Sequence, residues 1–169
     1  MNDYATHQPV LLAALAATEG PVLECGAGHY STPLLHAYCA PTLRSLITLE
    51  DDPTWIEAYA YLRSFWHDVD LVPDWDGLGT GQYDVAFVDH RAEARVPTML
   101  HLRERARFIV AHDTEAACYG YAAAWPAFDW VWTFARYNTW ASICGMGDPP
   151  HWLEDALSPG VAGPPKPYR

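Results

Sequence analysis

Residues Val22 to Pro33 read VLECGAGHYSTP. A short apolar segment, Val22-Leu23, runs into Glu24, then into the turn Gly26-Ala27-Gly28, then into Ser31-Thr32-Pro33 at the head of an apolar stretch. That order predicts a strand, a tight loop and a helix. Gly26 and Gly28 have no Cβ, so the backbone can turn sharply and let a ligand come close, while Thr32 before Pro33 is a good N-cap and N1 pair. The helix amino terminus would present unpaired amides to a bound small molecule. Two glycines one residue apart also occur in ordinary turns, so the flanking segments have to decide the reading.

Upstream, Pro9 to Thr18 is leucine- and alanine-rich and stops at Gly20-Pro21, which predicts a helix. Downstream, a helix from Pro33 to about Cys39 closes at Pro41, and Ser45 to Leu49 is a β-rich run ending in Glu50-Asp51-Asp52. Asp52 caps the next helix at Pro53; Trp55, Ile56, Tyr59, Leu62 and Phe65 fall at helical spacing and read as a buried face. Val69 to Val72 predicts a third strand, leading to Pro73-Asp74-Trp75-Asp76 and a loop with Gly77, Gly79 and Gly81. Asp84 to Val88 is the clearest strand, a continuous apolar run ending abruptly in Asp89-His90, as suits a parallel strand buried on both faces. An arginine-rich helical stretch then reaches Phe108 to Ala111, which ends in His112-Asp113.

Strands alternating with helices predict an α/β, doubly wound, mostly parallel seven-stranded sheet with helices on both faces. In such a sheet ligands sit at the carboxyl ends of the strands. Four apolar runs end there in polar residues: Glu24 with the glycine turn, Glu50, Asp89 with His90, and His112 with Asp113. Trp130 to Ala135 and Thr139 to Cys144 are β-rich runs joined by a connection too short for a parallel crossover, which predicts a C-terminal antiparallel hairpin. Residues 1–145 read as a single domain and 146–169 as a proline-rich tail that wraps the surface or frays.

Composition narrows the function. The chain has 169 residues, 50% hydrophobic, which suits one domain with a full core. Its formal net charge is -11, and Lys166 is its one lysine. Phosphate backbones require Lys and Arg, so nucleic acid and anionic membrane surfaces are not expected partners. Arg91, Arg95, Arg103, Arg105 and Arg107 are interspersed with Glu93 and Glu104 and read as a solvated helix face. Cys25, Cys39, Cys118 and Cys144 form no CxxC pair, which gives neither a zinc framework nor a disulfide framework and fits a reducing cytoplasm. No apolar run approaches a membrane span, and MNDYATHQPV lacks the basic start of a signal peptide.

With these residues in view, the sequence resembles the class I S-adenosylmethionine-dependent methyltransferases. The matching segments are ECGAGHYST, Glu50 after the second strand, DVAFVDH at the fourth strand, IVAHDTE at the fifth and the terminal hairpin. The resemblance implies a Rossmann-like fold and S-adenosylmethionine as cofactor. It implies that Glu24, Gly26, Ala27, Gly28 and Ser31 bind the methionine part, and that Glu50, with Asp51 beside it, accepts both ribose hydroxyls. It further implies that Asp74 and Trp75 meet adenine, and that Asp89 and His90 lie near the transferred methyl. A nicotinamide-binding Rossmann domain is the competing reading, but Ser31 stands where its third glycine would fall.

A weaker similarity reaches the catechol-type O-methyltransferases, which hold Mg²⁺ with acids after strands four and five. Asp89 and Asp113 occupy those ends, but this chain has His112-Asp113-Thr114-Glu115 where that group carries Asp-Asn. Two acids are few for Mg²⁺, so no metal is assigned. For catalysis, His112 is the first candidate base, Asp113 its orienting or alternative partner, and His90 and His29 the next candidates. The acceptor is expected to be a small molecule. A methyltransferase-like protein that binds the cofactor without turnover is the alternative, and a homo-oligomer packing Tyr119 to Trp125 between subunits is a third arrangement.

Overall fold

The computed structural model describes residues 3–75, 78, 80–136 and 138–153. Seven strands form one sheet: β1 Val22–Cys25, β2 Leu46–Glu50, β3 His67–Leu71, β4 Tyr83–Val88, β5 Ala106–His112, β6 Trp130–Phe134 and β7 Ala141–Gly145. Their spatial order is β3-β2-β1-β4-β5-β7-β6. The first five are parallel, and β7 runs antiparallel to both β5 and β6. The expected terminal hairpin therefore inserts its second strand next to β5.

The helices are α1 Gln8–Ala16, α2 Thr32–Cys39, α3 Pro53–Tyr59 and α4 Ala92–Leu102. Alternation along β4 sorts the core into two layers. Val85 and Phe87 join Val22, Leu46 and the α1 and α2 side chains Leu11, Leu15 and Leu35 on one face. Ala86 and Val88 join Leu23, Cys25 and the α4 side chains Met99 and Leu102 on the other. Both faces of the central strands are thus dry, which is why β4 reads as a continuous apolar run.

Several boundaries differ from the sequence expectation. Asp52 does cap α3, its Oδ1 accepting the Thr54 N–H at 2.8 Å, but α3 ends at Tyr59 and passes into a 3₁₀ turn over Ala60–Leu62. Phe65, read as core, is 86% exposed because the helical period on which that reading rested no longer applies. β5 runs on through His112, since β7 continues its ladder with His112 opposite Ala141. The Thr32 side chain does not act as an N-cap. Ser31 holds that position without a side-chain cap bond, and Thr32 Oγ1 turns inward to Glu24. The first residues of the expected tail pack on the core: Leu153 is buried and Trp152 meets Phe108 edge-on at 5.4 Å. Gly77, Gly79 and residues 154–169 lie outside the described residues.

Candidate functional site

The strand order reverses between β1 and β4, and the glycine turn sits at that switch point. The Gly26 N–H donates to the Leu49 carbonyl at 2.8 Å, and the Asp89 N–H donates to the Cys25 carbonyl at 2.8 Å, so the turn is pinned between β2 and β4. Gly26 has φ +100, and a Cβ there would stand 2.6 Å from the Asp89 carbonyl. Only glycine meets both conditions.

Glu50, at the end of β2, faces the turn. Its Oε2 accepts the Ala27 N–H at 2.8 Å and its Oε1 accepts the Asp51 and Asp52 N–H groups at 2.8 and 2.9 Å. A carboxylate offers about four lone-pair positions, so one acceptor position remains, and a grip on both ribose hydroxyls requires the loop to release one amide. Burial raises the Glu50 pKa against the lowering pull of these amides. Asp51 pairs with Arg91 at 3.1 Å; burial would raise its pKa, but its polar surroundings beside Glu50 and Trp75 and the Arg91 charge bring the net shift down.

Glu24 is not on the cleft wall. It is fully buried beneath the turn, where Thr32 Oγ1 and Thr48 Oγ1 donate to its two oxygens at 3.0 and 2.7 Å. Burial pushes its pKa up to about 7 despite the hydroxyls of Ser31, Thr48 and Thr32. The Gly28 N–H donates to Thr32 Oγ1 at 2.9 Å, so Glu24 braces the loop through Thr32.

His90 departs from its expected place beside the methyl group. Its ring stacks on Trp75 at 3.8 Å, and both nitrogens are committed. Nδ1 lies 3.1 Å from the Arg91 carbonyl, which can only accept, so Nδ1 carries the proton and Thr98 Oγ1 donates to Nε2 at 2.9 Å. Burial holds the His90 pKa down at about 4. His90 is also absent from the lining of the cleft that the other catalytic candidates border. One face of Trp75 is covered by this ring, and Trp75 is only 4% exposed. Asp74 is exposed.

The catalytic candidates converge elsewhere. Val88 pairs with Ala111 across the β4–β5 ladder, which brings Asp89 beside His112. Asp89 Oδ2 lies 3.2 Å from His112 Nδ1, and His112 Nε2 is 3.0 Å from Thr6 Oγ1. Asp113 follows in the left-handed region at φ 54, the kind of strained backbone that clusters at functional sites. Burial works against a proton on His112, but the hydrogen bond and charge of Asp89, with Asp113, outweigh it and raise its pKa.

Arg95 corrects the reading of the arginine stretch as a solvated face. It is 6% exposed, pairs with Asp89 at 2.8 Å and Asp113 at 3.5 Å, and donates to the His90 and His112 carbonyls. Tyr119 covers its guanidinium at 4.1 Å, and Tyr121, stacked on Trp125, donates to the His112 carbonyl at 2.9 Å. The segment read as a subunit wall therefore packs against its own chain.

These groups border a cleft of about 530 Å³ whose lining includes Ala27, Gly28, Ser31, Asp89, Arg95, His112 and Asp113. Tyr4, His7, His29, Tyr30 and Trp55 complete it. His29 Nδ1 bonds to the Tyr59 hydroxyl at 2.7 Å. His7 and Trp55 are additions to the sequence reading: Trp55 was assigned to the core by its spacing, and nothing around His7 marked it. A second cleft, about 600 Å³, opens at the amino ends of the strands near Pro21, Asp84 and Arg105, away from every predicted site residue.

No known family pattern and no curated protein matches the sequence. Solved structures do match the fold. The S-adenosylhomocysteine-bound Podospora anserina methyltransferase PaMTH1 is 15% identical with TM-score 0.67, covering 83% of this chain and 77% of its own. Cofactor-bound Rv0187 from MTB is 18% identical with TM-score 0.63, covering 86% and 81%. The human Mettl16 catalytic domain, solved with the MAT2A 3'UTR hairpin 1, is 15% identical with TM-score 0.58, covering 82% and 68%. Among the described residues no helix is long and apolar enough to cross a membrane.

Proposed function

We propose that this chain, whose fold is the class I methyltransferase fold, binds S-adenosylmethionine at the β1–β4 switch point and transfers its methyl group to a small-molecule acceptor. The observation that carries the reading is the convergence of a glycine turn, a nearly saturated Glu50 carboxylate and the Asp89–His112–Arg95 cluster at one sheet edge. When bound, the cofactor supplies an electrophilic methyl on a sulfonium.

The chain's own groups divide the remaining work. The Gly26 to Gly28 backbone forms the floor, free of side-chain bulk. Glu50 offers its last lone pair to the ribose, and Asp51 and Trp75 border the adenine end. His112 takes the proton of an oxygen or nitrogen acceptor, Asp89 orients the ring through Nδ1, and Arg95 holds Asp89 and Asp113 apart while neutralising them. Trp55, His29 and Tyr30 line the cleft and would shield a bound acceptor from water. The formal charge of -11 favours a small acceptor over a polyanion, although one structural neighbour was solved with an RNA hairpin.

Calorimetric titration of the full chain with S-adenosylmethionine and S-adenosylhomocysteine tests the reading. One saturable site per chain is expected, and Glu50→Ala should weaken it by about 10- to 100-fold, the loss of one charge-assisted hydrogen bond at about 1.5–3 kcal/mol. No binding of either compound by folded protein would overturn it. Binding without S-adenosylhomocysteine release across an acceptor panel would support the cofactor-binding protein without turnover.

A further inference from the structure

We infer that His7, Asp89 and His112 form a binding site for a nitrogen-preferring divalent cation of the Zn²⁺ class. One ligating atom from each of the three lies within 4.8 Å of the others. His7 is 1% exposed, and neither ring nitrogen makes a hydrogen bond of ordinary geometry, although the Tyr30 backbone lies close enough to favour its protonated form weakly. Buried polar atoms in folded proteins are almost always paired, so an imidazole left this way beside the cleft points to a missing partner. Its ring packs edge-on to His112 at 4.7 Å and against Phe87 at 4.6 Å, which fixes its orientation.

The other two donors are spaced for the same ion. Asp89 Oδ2 and His112 Nδ1 are 3.2 Å apart, near the roughly 3.3 Å edge of a tetrahedron with metal–ligand bonds of about 2.0–2.1 Å. Thr6 Oγ1 lies 3.0 Å from His112 Nε2 and 2.7 Å from Thr139 Oγ1, an outer partner that holds the ring and its tautomer. Arg95 occupies Asp89 Oδ1 and leaves Oδ2 for the ion. Because Arg95 also offsets carboxylate charge, the set favours an ion held by imidazoles over Mg²⁺, which relies on oxygen ligands and their charge. Three protein ligands leave a fourth position open to the cleft. An acceptor hydroxyl bound there would have a lowered pKa and release its proton to water in the cleft, so that His112 would not be needed as its base.

The test uses Zn²⁺ alone, titrated into the full metal-free chain against a chromophoric chelator, so it reads the site independently of methyl transfer. One Zn²⁺ per chain is expected. His7→Ala and the volume-conserving His7→Gln should each weaken it more than about 100-fold, Thr6→Val about tenfold as an outer partner, and His101→Ala, outside the site, not at all. Circular dichroism of each variant shows that the fold is kept. Folded wild-type protein that takes up no Zn²⁺, or both His7 variants binding as tightly as wild type, overturns the site. Zinc lost only on Cys118→Ser overturns it too, since exposed Cys118 would then be an adventitious ligand.

Discussion

Burial alone would strip the proton from His112, yet Asp89 beside Nδ1, with Asp113, holds its pKa above the ordinary 6.5. A base works only in its neutral form, so the turnover of the metal-free protein should rise with pH through a value above 6.5. Asp89→Asn removes the main raising influence and should move that midpoint down while lowering the maximal rate by about 10²–10⁴-fold, the usual worth of a general base. A pH–rate profile of both proteins checks this; an unmoved midpoint would assign the titration to another group. The linkage has a definite sign. Protonated His112 contributes stability that is fully present below its unfolded pKa and is lost as pH rises through the raised folded value. Its strand position was legible, because a charged pair after an apolar run marks a strand's carboxyl end. Arg95 was not, since an arginine followed by alternating charge reads as solvated until Asp89 and Asp113 are known to close over it from two different strands.

At the scale of elements, the glycine turn and the first helix are held by backbone. At Gly26, an alanine would meet the Asp89 carbonyl at 2.6 Å in a backbone conformation L-residues avoid. Gly26→Ala should cost roughly 2–4 kcal/mol through strain and overpacking, measured by urea denaturation. The end of α1 is clamped by Arg44, which is 6% exposed and donates to the carbonyls of Leu15, Thr18 and Gly20 and to Thr18 Oγ1. Among the described residues no acid pairs with it; the carboxyl end of the helix supplies the partial negative charge. Arg44→Met keeps the apolar stem and deletes the donors, and should cost about 2–4 kcal/mol with the cofactor affinity of the folded protein unchanged. Periodicity located α1 and β2, but Arg44 sits before β2 with no pattern to suggest that its side chain crosses to α1.

Across the whole molecule, buried histidines set the acid limit. Burial first, then neighbouring charge, lowers His7, His67 and His90 to about 4, so each is neutral in the fold and takes up a proton on unfolding below about pH 6.5. Glu24, raised to about 7, opposes them, because the folded state holds its proton between about 4.5 and 7 and stability falls there as pH rises. Burial also raises Glu50 and lowers His36, so four lowered histidines stand against two raised carboxyls, which leaves net proton uptake on unfolding. Stability should therefore climb steeply from pH 4 to about 6.5. Chemical denaturation across that range measures the slope. Replacing His67, whose Nε2 meets Thr48 at 3.0 Å and whose Nδ1 meets His36 at 2.9 Å, with Gln should flatten it.

The sequence by itself determined the fold class, the order of the strands' roles and the site edge, because those rest on local signals: apolar runs, turn glycines and the polar residues that end each strand. The glycine turn, Glu50, Asp89 and His112 were all readable in that way. Tertiary structure alone decided which polar groups share a cleft. Register across β4 and β5 joins Asp89 to His112 and commits His90 to Trp75 and Thr98. Chain ends distant in sequence bring His7 and Thr6 to His112. Such contacts arise from packing between elements, and no short stretch of residues encodes them.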